Sequence, residues 1–390
     1  MRLRPSLDLP FFEDRHRDFF AEVDRVGAEV SAGAGAHNDA DVDDACRGFV
    51  RALGDSGLLK AVVEAADGGL QPTLESRAIC LARAGLARHD ALLDFAFAMQ
   101  GLGTGAITLG GSAAQRAAWL PDVARGRAIA AFALTEPQAG SDVGAMTTRA
   151  VRDGDGWRLD GRKTWISNGG IADFYTVFAR TTEGRGARGI GAFIVPADAP
   201  GLVIEERLDV IAPHPLATLR FDGCRVGADA CIGSPDEGFK LAMRTLDIFR
   251  PSVGAAALGM ARRALEEALD HVEAREMFGQ KLADFQLTQA RLADMAAGLE
   301  AGELLTWRAA WLRDVRGVRT TREAAISKMV ATESAQTVVD GAVQLLGGLG
   351  VKRGGVVERL YREVRALRIY EGATEVQKLI IARALREART

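Results

Sequence analysis

Apolar positions along this chain change their spacing twice, and the changes divide it into three stretches. From about Phe11 to Arg127 the sequence is rich in Ala, Leu, Arg and Asp and poor in β-branched residues, a composition that favours helices. Asp55-Ser56-Gly57 and the pair Gly68-Gly69 punctuate it. The segment His89–Met99, HDALLDFAFAM, is apolar nearly all round and predicts a buried helix. From about Ala128 to Gly233 short runs alternate with turn signals: GWRLDGRKTWIS, DFYTVFAR, GIGAFIVPA, GLVIEE and ATLRFDGCRV. In the last, Ala217, Leu219 and Phe221 fall on one face, with Thr218, Arg220 and Asp222 on the other, the period of two of a half-buried strand. Such runs recur about every ten residues between Gly and Pro turns, which predicts an antiparallel β-barrel or sandwich.

From about Glu237 helical spacing returns. Leu258, Leu265, Leu269 and Val272 are separated by 7, 4 and 3 residues. Leu292, Met295 and Leu299 mark a second helix, and Val339, Val343 and Leu346 a third. Thr320 with Glu323 predicts a capping box opening the third. Long amphipathic helices with short connections predict a bundle. The expected architecture is an α+β multidomain chain: a helical domain at 1–127, a β domain at 128–233 and a helical bundle at 234–390.

Composition narrows the picture. A length of 390 residues calls for two or three domains. A hydrophobic share of 48% excludes a wholly disordered chain. The formal net charge is -3, with both signs mixed throughout, so no basic tract points to nucleic acid. The longest uninterrupted apolar run, Ala128–Leu134, is far shorter than the roughly 20 residues of a membrane helix. The opening MRLRPSLDLPFFEDRHRDFF lacks the apolar core of a secretory signal and makes a poor transit peptide. Cys46, Cys80, Cys224 and Cys231 have no metal-type spacing and read as reduced, packed thiols, so a cytoplasmic location is expected. One G-x-G-x-x-G, Gly184–Gly189, lies in a polar loop between strands. No helix follows to receive a pyrophosphate, so it reads as a hairpin loop.

Four segments carry candidate chemistry. Ala133-Leu-Thr-Glu-Pro-Gln-Ala-Gly-Ser-Asp142 is a tight loop presenting the hydroxyls of Thr135 and Ser141 and the carboxylates of Glu136 and Asp142. Such groups can bond the polar edge of a flat ring or an amide-rich tail, or cap a helix. Lys163-Thr-Trp-Ile-Ser-Asn168 begins 21 residues after Asp142 and offers the aromatic surface of Trp165 beside the Ser167 hydroxyl. Gln344-Leu-Leu-Gly-Gly-Leu-Gly350 ends a helix with three glycines, which admit close approach of a ligand or form a C-cap. Arg368-Ile-Tyr-Glu-Gly-Ala-Thr-Glu-Val-Gln377 places Glu371 in a loop between helical patterns, flanked by Tyr370 and Gly372.

In this order and spacing the four segments resemble the acyl-CoA dehydrogenase family, and the resemblance runs from roughly Phe11 to Arg386. It implies FAD as cofactor, an acyl-CoA substrate, a C-terminal four-helix bundle, an electron-transfer flavoprotein or similar acceptor, and a homotetramer built as a dimer of dimers. By position, Phe132, Leu134 and Thr135 should line the flavin, and Ser141 should meet both flavin phosphate and pantetheine. Trp165 should pack on the ring and Ser167 should bond flavin N5. Arg275-Glu-Met-Phe278-Gly279 and Gln286 resemble the part that reaches a neighbouring subunit's FAD, with Gln344 and Gly348 contacting that same cofactor. Thr374 and Glu375 should lie near the adenosine half. Asp247 and Arg250 resemble contacts to the CoA chain, with Tyr370 and Gly372 beside the substrate.

The resemblance also gives Glu371 the role of the base that takes the proton α to the thioester while a hydride leaves the β carbon. Burial beside an apolar chain would raise its basicity by desolvation. Charge growing on the thioester oxygen would meet the backbone N–H of the base and a ribityl hydroxyl. Some relatives carry the base just before the arginine corresponding to Arg250. Here that position is Phe249, which takes no proton. Two departures stand out. Glu371-Gly-Ala-Thr374 shifts the hydroxyl usual after the base by one residue, and Val210-Ile-Ala-Pro-His-Pro-Leu216 replaces the usual turn. His214, between two prolines, reads as part of a rigid surface turn, with contact to a substrate or partner as the alternative. Alternatives on the same fold are an oxidase, an enzyme acting on carrier-bound acyl groups, or a flavin-binding protein without turnover.

Overall fold

Element by element, the chain runs from helices to sheet to helices in a computed structural model that describes residues 6–34, 41–183 and 186–388. Five helices come first: α1 (Asp14–Ala34), α2 (Val42–Asp55), α3 (Ser76–His89), α4 (Ala91–Gly110) and α5 (Ala113–Ala124). Eight strands follow: β1 (Ala130–Ala133), β2 (Arg149–Asp153), β3 (Gly156–Ser167), β4 (Phe174–Arg180), β5 (Ile190–Pro196), β6 (Leu202–Arg207), β7 (Leu216–Val226) and β8 (Cys231–Ile232). The last third holds α6 (Gly238–Ala274), the two-residue strands β9 (Glu276–Met277) and β10 (Gln280–Lys281), α7 (Gln286–Arg316), α8 (Thr321–Leu346), α9 (Val356–Leu367) and α10 (Thr374–Glu387). This is the helix, sheet, helix order that the apolar spacing predicts.

Two compact units form. The first gathers Met1–Ser31, Glu75–Asp94 and Asp247–Thr390, and the second Ala32–Leu74 and Phe95–Leu246. In the first unit the core is an aliphatic cluster that includes Leu258 and Leu265 of α6, Met295 and Leu299 of α7, Val338 and Val339 of α8, and Leu360 and Val364 of α9. Small residues let the helices approach closely. A Cβ on Gly259 of α6 would lie 2.2 Å from the carbonyl oxygen of Ala84 on α3. The predicted capping box at Thr320 does not form. Thr320 has φ -110 and ψ 23 instead of the extended backbone that points an N-cap side chain at the N3 amide.

In the second unit the eight strands form one sheet, ordered β6-β7-β3-β2-β4-β5-β8, with β1 against β4. Most pairings are antiparallel, as expected, but β1 and β2 each meet β4 in parallel. On β7, Ala217, Leu219 and Phe221 are buried as the alternation predicts. Thr218 is buried as well, because its hydroxyl bonds Thr164 Oγ1 at 2.8 Å. A capping box occurs at α5, where Ser112 and Gln115 bond each other's backbone. Gly184 and Arg185 of the G-x-G-x-x-G lie outside the described residues. The rest of that segment lies between the antiparallel strands β4 and β5, and Arg180 donates to the carbonyls of Gly186 and Arg188.

Helix α4 is long and apolar enough, by length and composition, to cross a membrane. Asp94 and four glycines break its apolar run, so a search for uninterrupted runs passes over it. Within the protein 94% of its most apolar window is buried, which makes it a core helix. His214 packs against Phe95 of α4, ring centroids 4.5 Å apart.

The loop after β1 is held from below by a buried ion pair. Lys163 Nζ, on β3, donates to Glu136 Oε1 at 2.8 Å and to the Leu134 carbonyl at 2.9 Å. Glu136 also accepts from the amides of Thr147 and Thr148. Burial acts to raise the Glu136 carboxyl, but Lys163 and those amides win and hold it at about 2. Full burial brings Lys163 down to about 8 despite its partner. The Glu136 contribution to stability is therefore complete above its ordinary value of 4.5 and drains away as pH falls toward about 2. At neutral pH Glu136→Gln should cost about 3 kcal/mol in urea unfolding, because it strands a buried ammonium. Glu136→Gln/Lys163→Met should recover much of that loss. A single variant as stable as wild type would show that the pair does not anchor the loop.

Candidate active site

Among the described residues four non-glycines adopt positive φ: Trp165 (58°), Asn168 (60°), Phe278 (50°) and Glu371 (53°). Side chains disfavour this region, and it persists only where surroundings enforce it. Three of the four are residues to which the sequence gives functional roles.

In the second unit the strain marks a bulge. Strand β3 pairs Lys163 with Leu219 and next Ile166 with Ala217, so β3 carries one residue more than β7 between those pairs. The bulge puts Trp165 on the surface, 57% exposed, which is unusual for so large an apolar side chain. Asn168 fixes the end of this segment. Its amide donates to Pro215 O at 2.8 Å, its side chain donates to Ala130 O at 2.9 Å, and its carbonyl accepts from Ile171 and Ala172. Ser167, between the two strained residues, is half-buried. On the adjoining loop, Thr135 O accepts from the Thr164 amide at 3.0 Å. Leu134 is buried, Phe132 and Thr135 are half-buried, and Ser141 is exposed. One planar surface with hydroxyls beside it, unclaimed by the chain's own packing, suits a flat heteroaromatic ring with a polar edge. Glu136 does not face such a ligand. Its carboxylate is turned inward to Lys163, because an unpaired lysine there would be costly.

In the first unit the loop between α9 and α10 presents Glu371. Its Oε2 is sealed from solvent and has no hydrogen-bond partner. Burial pushes its carboxyl above the ordinary range, Arg83, Lys328 and Arg250 pull it back, and Asp94 adds to the rise; the net direction is up. Arg83 is itself clamped, with Nε and Nη2 on the two Asp94 oxygens at 2.9 and 2.8 Å and Nη1 on Ser252 Oγ at 3.1 Å. Arg250 is buried and donates to Asp247 Oδ1 at 2.8 Å, while Asp247 Oδ2 accepts from Thr321. Phe249 is 1% exposed and packs in the core. Tyr370 lines the aliphatic cluster. Just beyond Glu371, Lys328 Nζ and Gln377 Nε2 both donate to Gly372 O, each at 2.8 Å.

A groove of about 450 Å³ opens beside this loop, lined by Glu333, Arg368, Thr374, Glu375 and Lys378 among others. The Thr374 hydroxyl is engaged with Glu333 Oε1 at 2.7 Å, and Glu333 also holds Arg368 at 2.6 Å. The shifted hydroxyl thus serves the loop's own architecture. Elsewhere in the first unit, the β9–β10 hairpin carries Arg275 and Phe278 outward. Phe278 is 89% exposed, and Gln286 is exposed at the start of α7. Gln344 and Gly348 are exposed at the end of α8, where a Cβ on Gly347 or Gly348 would meet nothing within 4 Å.

Sequence reasoning missed Lys328, Gln377 and Asn168 as supports of the site. For Lys328 a signal exists: it is a charge on the buried face of α8, in step with Ala324, Ala331 and Ala335.

Three family profiles match the chain in order: "Acyl-CoA dehydrogenase, N-terminal domain" at residues 13–127, "Acyl-CoA dehydrogenase, middle domain" at 131–224 and "Acyl-CoA dehydrogenase, C-terminal domain" at 236–386. The "probable acyl-CoA dehydrogenase FadE25" of Mycobacterium tuberculosis is 38% identical over 387 residues, 98% of this chain and 98% of that protein. Butyryl-CoA dehydrogenase from Megasphaera elsdenii shares the fold with a TM-score of 0.87 at 32% identity, over 96% of this chain and 99% of that one. A glutaryl-CoA dehydrogenase from Mycobacterium smegmatis, in complex with FADH2, gives 0.85 at 30% identity over 96% and 95%. With all three domains matched in register and a relative aligned along nearly its whole length, the chain belongs to the acyl-CoA dehydrogenase family.

Proposed function

We propose that this chain, an oxidoreductase of the acyl-CoA dehydrogenase family, converts a saturated acyl-CoA to its trans-2-enoyl-CoA, with Glu371 as the base. The observation that carries the reading is the Glu371 carboxyl: one oxygen is enclosed and unpartnered, on a strained backbone, with its basicity raised by burial. An oxygen with no partner of its own is available to take a proton. Desolvation makes it a stronger base than a surface glutamate. Arg83, Lys328 and Arg250 limit the rise, because nearby positive charge favours the carboxylate over the neutral acid. Its acceptor role requires the ionised form, so activity should fall as pH drops through a value above the ordinary 4.5.

FAD fits the donor set of the second unit, and when bound it supplies the acceptor for the hydride that leaves the β carbon. Trp165 would hold the ring plane, Ser167 and Thr135 would bond its polar edge, and Phe132, Leu134 and Ser141 would complete the seat. Arg275, Phe278, Gln286, Gln344 and Gly348 would reach the FAD of a neighbouring copy, which implies at least a dimer, and the family resemblance extends this to a homotetramer. The exposure of Phe278 supports that role, since an isolated chain gains nothing from displaying it on a strained turn. Thr374 and Glu375 would lie along the adenosine half, and the groove they line supports this. Asp247, Arg250, Tyr370 and Gly372 would attend the thioester and CoA chain. The three profile matches support domains at 1–127, 128–233 and 234–390. An electron-transfer flavoprotein is the acceptor we expect.

A panel of acyl-CoAs read by anaerobic bleaching of the flavin tests the reading. Fast bleaching by one chain-length class with slow reoxidation by oxygen supports a dehydrogenase. Rapid reoxidation would make the chain an oxidase, and inertness toward every free acyl-CoA would favour a carrier-bound substrate. Glu371→Gln should keep FAD and ligand binding yet lose about 10³-fold or more in bleaching rate. Bleaching at near wild-type rate would remove Glu371 from the role. In the apoprotein, titration with FAD should quench tryptophan emission, and Trp165→Phe should remove the largest share of that quenching. If the substitution leaves the quenching intact, the ring does not sit on Trp165.

A further inference from the structure

Glu371 and Gly372 are consecutive left-handed residues, with φ of 53° and 94°. A glutamate does not choose that backbone unaided. Two long side chains enforce it. Lys328 Nζ from α8 and Gln377 Nε2 from the first turn of α10 converge on Gly372 O, each at 2.8 Å. Two donors from two helices engage both lone pairs of one carbonyl. They fix the peptide plane after Gly372 and with it the direction in which Glu371 leaves the chain. A Cβ on Gly372 would lie 2.5 Å from Gln377 Nε2, so another residue there would both strain the turn and displace that donor.

Lys328 is an unusual choice for this task. It is 0% exposed, and its hydrogen bond goes to a neutral carbonyl instead of a carboxylate. Burying an ammonium that way is unfavourable, and a glutamine or a water would serve the carbonyl at lower cost. What the ammonium adds is charge beside the base. The charged groups that act on the pair come from every element packed around it: Arg83 from α3, Asp94, Arg250 from α6, Glu333 from α8 and Glu375 from α10. Burial brings Lys328 down to about 8, and Glu371 is the strongest of the groups opposing that fall.

We propose that Lys328 is the positioning residue of the catalytic base: its ammonium holds the Gly372 carbonyl, and so the left-handed turn that aims Glu371, and places a positive charge next to that turn. The proposal rests on Glu371 being the base, and the test separates the two. FAD-loaded wild type, Glu371→Gln, Lys328→Met and Lys328→Arg are compared by anaerobic flavin bleaching with the most reactive acyl-CoA, as limiting rate and half-saturation across pH. FAD content and thermal unfolding are followed alongside.

Lys328→Met should keep its FAD and its half-saturation within about threefold while the limiting rate falls about 10- to 100-fold. Its acid limb should move up by about one pH unit, because removing the cation leaves Glu371 more basic. Lys328→Arg keeps the charge, so its acid limb should stay in place while the longer guanidinium displaces the carbonyl and lowers the limiting rate. A purely structural lysine would lower FAD content or unfolding temperature and leave the acid limb where it was. If Glu371→Gln is inactive while Lys328→Met has the rate and acid limb of wild type, the assignment of Lys328 is overturned and the base stands. If Glu371→Gln remains active, the base itself is wrong. Should Lys328→Met fail to fold, Lys328→Arg decides: a reduced rate at an unmoved acid limb supports the proposal, and an unchanged rate contradicts it.

Discussion

The structure turns on the opposition between desolvation and charge at one carboxyl group. Enclosing Glu371 Oε2 without a hydrogen-bond partner raises its basicity, and Arg83, Lys328 and Arg250 hold that rise in check. Burial favours the neutral acid and the cations favour the carboxylate, so the two act in opposite directions on the same group. The cations are themselves constrained. Arg83 is clamped on Asp94 and Ser252, Arg250 on Asp247, and Lys328 on the Gly372 carbonyl. Buried charge of this kind is poor for stability, and its concentration around a strained glutamate supports the proposal that Glu371 acts as a base.

The same logic, with different parts, shapes the second unit. A bulge in β3 forces Trp165 onto the surface, Asn168 locks the strand end, and the Lys163–Glu136 pair underpins the loop carrying Thr135 and Ser141. Rigid supports beneath a few exposed groups are what a tightly held planar cofactor requires, since each group must sit in place before the ring arrives. In both units the residues that would touch ligand are few, and those holding them are buried and drawn from distant parts of the chain.

That separation explains what could be read from sequence. The helix, sheet, helix order was legible because apolar spacing reports which face of each element is buried, as at Ala217, Leu219 and Phe221 of β7 or Leu258 and Leu265 of α6. Glu371 and Trp165 stood out because family-like motifs surround them. Their supports did not, because each acts across a long loop of chain: Lys328 meets Gly372 over 44 residues, and Asn168 meets Ala130 over 38. No local spacing encodes such a contact. The inward turn of Glu136 was not legible for the same reason, since its partner Lys163 lies 27 residues away. The expected cap at Thr320 failed on backbone geometry, which residue type alone does not fix.

If Glu371 is the base, it is a desolvated carboxyl that titrates above a surface glutamate. Infrared difference spectra of protein labelled with carbon-13 at glutamate carboxyls, compared between wild type and Glu371→Gln across pH, measure this directly. A protonated-carboxyl band, absent from the variant, should persist to pH values above 4.5 before it disappears. A Glu371 band that titrates at or below 4.5 would contradict that expectation.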